Sequence, residues 1–93
     1  MRNLMFTRKK NINGCAVPYQ IVIDGSARGE VENGKTEVIP IDNNRHTVCV
    51  CAPLGDRNYW SKTMEIYSGS NDYSFEVITK TGLIKVGIYL NQI

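Results

Sequence analysis

Tyr19-Gln-Ile-Val-Ile-Asp-Gly-Ser-Ala-Arg-Gly-Glu-Val-Glu-Asn-Gly34 is the stretch that decides the fold. It opens with an alternating segment in which Tyr19, Ile21 and Ile23 point one way and Gln20, Val22 and Asp24 the other. Asp24-Gly25 and Asn33-Gly34 then supply the positive-φ positions that tight hairpin connections require. Two such dipeptides, each flanked by β-branched residues, make a strong antiparallel-sheet signal.

Outward from that stretch the pattern repeats. Strands are expected at Leu4–Arg8, Tyr19–Asp24, Arg28–Glu32, Lys35–Ile41, His46–Ala52, Tyr59–Tyr67, Asp72–Thr79 and Leu83–Leu90, with turn residues between them. No long window sustains the i, i+3, i+4, i+7 spacing of an amphipathic helix. The sequence therefore predicts an all-β, antiparallel fold of about seven or eight short strands, a β-sandwich or a small barrel. One domain over 1–93 fits the length.

Composition narrows the class. Hydrophobic residues at 42% and charged residues at 22% are those of a globular chain, not a disordered one. A net charge of +2, with no basic run longer than Arg8-Lys9-Lys10, argues against a nucleic-acid partner. The first ten residues hold too short an apolar run for a secretory signal, and no stretch is long enough for a spanning helix. With three cysteines, an odd number, the chain is expected in a reducing, cytoplasmic setting.

The order Ile21-Val-Ile-Asp-Gly25, Gly29, Gly34, Ile39-Pro-Ile41 and His46-Thr-Val-Cys-Val50 resembles the PEGA domain, a small immunoglobulin-like β-sandwich common in bacteria. The likeness covers residues 19–50. Where that family has Thr-Pro after the glycine, this chain has Glu30-Val31, and where it has Pro-Gly before the histidine, this chain has Asn43-Asn44. The resemblance implies a non-catalytic sandwich in which the histidine closes a turn, with no catalytic residues to transfer.

The residues themselves point the same way. His46 is the only histidine and alternates with Val48 and Val50, on the core-facing side of its strand. Cys49 and Cys51 leave the opposite face, two ligands where a closed zinc site needs four, and their parallel Cβ vectors do not suit a relaxed disulfide. Asp24 and Asp42 read as turn residues, and spacing pairs no two carboxylates. No G-x-S-x-G, phosphate loop or H-E-x-x-H occurs, so no catalytic, cofactor or metal site is expected.

Trp60 reads as a core anchor. The alternative is a ligand-binding module in which Tyr59, Trp60, Tyr67 and Tyr73 stack on a carbohydrate or on single-stranded nucleic acid. Several strands are apolar on both faces, more than a two-layer sandwich can hide. The leading expectation is thus a module for protein–protein interaction or scaffolding, docking to another protein or forming a homodimer. Its surface would include Val22, Val38, Cys49, Cys51, Tyr59, Trp60 and Tyr89, with the final strand as a pairing edge.

Overall fold

The hairpin expected at Asp24-Gly25 joins β2 (Tyr19–Ile23) to β3 (Ser26–Val31). Both turn residues have positive φ, 52° and 80°, as the favoured two-residue hairpin turn requires. The computed structural model describes residues 1–11, 17–81 and 86–93. Cys15, with the turn around it, and the Leu83–Lys85 part of the expected last strand lie outside the described residues.

Nine strands form among the described residues, in two sheets. The remaining seven are β1 (Arg2–Arg8), β4 (Thr36–Ile41), β5 (His46–Leu54), β6 (Arg57–Trp60), β7 (Met64–Ile66), β8 (Tyr73–Thr81) and β9 (Val86–Gln92). One sheet runs β4-β1-β8-β9; the other runs β3-β2-β5-β6, with β7 also on β5. The expected Asn33-Gly34 hairpin is instead a corner. Gly34 takes φ 73°, the Lys35 N–H bonds the Glu32 carbonyl at 3.0 Å, and the chain crosses from one sheet to the other.

The sandwich is not wholly antiparallel. β1 pairs antiparallel with β4 but parallel with β8, in the register Leu4↔Tyr73 and Phe6↔Phe75. The ninth strand arises because the expected Tyr59–Tyr67 strand breaks. From Cys51 to Val48 is three steps along β5, yet the opposing residues, Trp60 and Met64, are four steps apart. One extra residue is accommodated at Lys62-Thr63, opposite Cys49, and an insertion of this kind bends the strand and reverses its facing parity. Ser61 holds the bend: its hydroxyl accepts the Val50 N–H at 2.9 Å and donates to the Lys62 carbonyl at 3.1 Å.

The core lies between the sheets, where Leu4, Phe6, Ile39, Ile41, Phe75, Val77, Ile88 and Leu90 meet Tyr19, Ile21, Ile23, Val31, Val48, Val50, Ala52 and Ile66. Phe6 and Phe75 stack across the parallel pair with centroids 5.1 Å apart. The two ends of this layer hold charge. Arg2 and Arg8 share the inward parity of Leu4 and Phe6 and are 2% and 1% exposed. Six residues of strand set them about 20 Å apart, one at each end of the core.

Candidate functional site

Two places in this fold bring chemistry-bearing groups together. The first is the pole closed by Arg2. Antiparallel pairing of β2 with β5 carries Asp24 to the start of β5, where its amide donates to the Thr47 carbonyl and its carboxylate accepts the Thr47 N–H, both at 2.9 Å. The β4–β5 turn brings Asp42 to the same point, its Oδ1 accepting the Asn44 N–H at 2.9 Å. His46 stands between them. Its Nδ1 is 2.6 Å from Asp24 Oδ2 and its Nε2 is 2.6 Å from Asp42 Oδ1. From beneath, Arg2 donates from Nε to the Asp42 carbonyl (3.2 Å) and from Nη2 to the Asn44 carbonyl (2.8 Å).

A carboxylate only accepts, so the two contacts are both satisfied when the imidazole is protonated and donates from each nitrogen. The electrostatics agree. The Asp24 hydrogen bond, helped by Asp42, raises the His46 pKa against the opposing effect of burial. The His46 hydrogen bond, then the Thr47 amide, lowers the Asp24 pKa. Asp42 is lowered first by the Asn44 amide and then by His46. In that protonated form the ring has no lone pair for general-base work. The arrangement is a clasp between two turns. His46 therefore sits on the expected face, and Asp24 and Asp42, which spacing alone does not pair, are brought to it from 18 residues apart by the pairing of β2 with β5.

The clasp makes stability depend on pH. His46, raised from 6.5, stabilises fully below that value and less as pH rises through its folded pKa. The two aspartates, lowered from 3.8, stabilise above that value and lose the effect as pH falls through their folded pKa values. The contribution therefore peaks between the two, at mildly acidic pH. Urea midpoints of the wild type and His46→Gln are expected to differ most between the ordinary values of 3.8 and 6.5 and to converge as pH rises through the folded pKa of His46. A pH-independent difference would mean that the ring acts only by packing.

The second place is the border formed by β6 and β9, and the expected interaction residues divide around it. Trp60, read as a core anchor, is 56% exposed. Met64 and Ile66 face inward, and an unbroken strand would have turned Trp60 inward with them; the inserted residue turns it out, beside Cys51. Val22, Cys49 and Cys51 share that outer face, but Val22 and Cys51 are 7% and 3% exposed and offer little surface. Burial raises the pKa of both thiols. Val38 belongs to the other sheet, exposed beside Met5. It does not share a face with Val22 and the cysteines, which corrects that expectation.

Tyr59 packs against the core, and Tyr73 stacks on Phe75 with Arg2 over its ring. The four aromatics of the ligand-binding reading thus do not form one platform. Tyr89 is exposed on the outer face of β9, its ring lying where a Cβ on Gly87 would be 2.8 Å from it, with the Lys80 ammonium 5.2 Å from the ring centroid. A depression of about 230 Å³ runs along this strand, lined by Ile88, Tyr89, Leu90, Asn91 and Lys62. Arg2, Arg8 and Lys80 are the residues that sequence reasoning missed. For the two arginines a signal existed: Arg2-x-Leu4-x-Phe6-x-Arg8 is one alternating row.

Among the described residues no helix is long and apolar enough to cross a membrane. No protein-family model, curated protein or solved structure matches this chain.

Proposed function

We propose that this chain is a non-catalytic, immunoglobulin-like β-sandwich module that works by protein–protein interaction, and that β9 is the strand through which it does so. The observation that carries this reading is the state of the sheet edges. Sheet edges are ordinarily blunted by charge, proline, bulges or shortness, because an open row of amides and carbonyls recruits other strands. β4 carries Glu37 and Pro40. β3 carries Arg28 and Glu30 and is irregular against β2 at Ile21/Val22. β6 is four residues long with Arg57, and β7 three with Glu65. β9 is seven residues long, Val-Gly-Ile-Tyr-Leu-Asn-Gln, with no charge, no proline and no register shift against β8.

The Ile93 amide bonds the Ser74 carbonyl, so by alternation the backbones of Gly87, Tyr89 and Asn91 face β8 while those of Val86, Ile88, Leu90 and Gln92 face outward. Gln92→Pro removes an outward N–H and leaves the ladder to β8 intact. Selection from a displayed library of random extended peptides is expected to enrich ligands of the wild type that the Gln92→Pro variant does not bind. Failure to enrich any, together with a strictly monomeric light-scattering profile at high concentration, would overturn the reading.

A further inference from the structure

We infer that the partner of β9 is an acidic extended segment of another protein, added as a fifth strand to the β4-β1-β8-β9 sheet. This rests on the edge reading above and adds the chemistry of the occupant. A strand added to a sheet edge gains its affinity from backbone hydrogen bonds and its specificity from the side chains that alternate above and below it. Here two lysines stand beside the vacant lane. The extra residue accommodated at Lys62-Thr63 leaves Lys62 on the depression along β9 that Ile88, Tyr89, Leu90 and Asn91 also line. Lys80 reaches from β8 onto the ring of Tyr89, which lines the same depression.

Neither lysine has a carboxylate within ion-pair distance among the described residues, whereas Glu76, the nearby acid of β8, pairs with Lys9 at 3.7 Å. β9 itself supplies no charge. A segment that alternates apolar residues with carboxylates meets Ile88 and Leu90 with the former and the two ammonium groups with the latter. Such complementarity selects partners and speeds encounter. A second copy of β9 fits less well, because two-fold pairing along this edge brings Lys62 towards its own copy and offers no carboxylate to either lysine.

Three end-blocked peptides of about eight residues, alternating valine with glutamate, glutamine or lysine, test this by titration against the ¹⁵N-labelled chain. The glutamate peptide is expected to bind at least about tenfold more tightly than the glutamine peptide, more weakly as salt rises, with hydrogen exchange slowed at Val86, Ile88, Leu90 and Gln92. Lys62→Glu/Lys80→Glu, which alters only exposed side chains, is expected to reverse the preference towards the lysine peptide. Equal binding of the glutamate and glutamine peptides, slowed exchange at β9 included, would overturn the acidic partner and leave the edge reading standing. Binding without protection of β9 would overturn both. No binding of any of the three would overturn the inference, while the library selection above would decide the edge reading independently.

Discussion

Arg8→Ala is expected to destabilise the fold by about 3–5 kcal/mol, as loss of a buried side chain that satisfies backbone carbonyls does. The guanidinium lies 3.5 Å over the Tyr19 ring and donates from Nη1 to the Val17 carbonyl at 2.8 Å and the Val31 carbonyl at 3.2 Å. Tyr19 is itself fully buried and hydrogen-bonds Thr79 across the layer at 2.7 Å. Removing the side chain forfeits a desolvated cation–π contact of about 2 kcal/mol and leaves two carbonyls without their donor at about 1–3 kcal/mol each, before any cavity is counted. The summed maximum exceeds the expectation because water enters the vacated end. Small domains hold only about 5–15 kcal/mol in total, so the variant should unfold at much lower urea. Arg8→Lys keeps a charge and loses the planar fork, and Arg8→Met keeps the stem and loses the donors. The expected order of damage is Ala, then Met, then Lys. Wild-type stability in Arg8→Met would mean that stem volume alone matters.

Arg2→Ala carries the second largest expected effect, about 2–4 kcal/mol. Its Tyr73 contact is longer, 5.6 Å to the ring centroid, so less cation–π energy is lost. A specific consequence distinguishes it from a general core defect. Arg2 supports the carbonyls of Asp42 and Asn44, the turn that positions one carboxylate of the His46 clasp. Once that support is gone, the His46 pKa should move back towards its ordinary 6.5, as followed by NMR titration of its ring protons. An unmoved titration in a destabilised but folded variant would show that the turn is held by Asp42 and Asn44 themselves.

What the chain disclosed in advance was local. The Asp24-Gly25 hairpin and the inward row of His46, Val48 and Val50 follow from turn chemistry and two-residue alternation, which act within a few residues. What it concealed depended on distant pairing or on a single inserted residue. An arginine in an alternating row reads as solvated, since charged groups are rarely buried without partners, and the partners of Arg2 and Arg8 are carbonyls that sequence does not display. Trp60 reads as buried because of its large apolar area, and nothing in Ser61-Lys62-Thr63 announces the extra residue that turns it outward. The convergence of Asp24 and Asp42 on His46 likewise requires knowing that β2 lies against β5.

The parallel pairing of β1 with β8 bears on how the chain is made as well as how it stands. β1 leaves the ribosome well before β8, yet it is an interior strand, flanked by β4 on one side and β8 on the other. Its β4 flank can close early; its β8 flank waits for some seventy further residues to be synthesised, from Leu4 to Tyr73. Until then the row Leu4 and Phe6, with an unclosed main-chain border, is available to any nascent strand nearby. Closure across so long a loop is slow, in the millisecond-to-second regime of folds dominated by distant contacts. The early strand therefore spends its first seconds as an unfinished seam, and the period before β8 emerges is when the polypeptide is most open to mispairing and to chaperone capture.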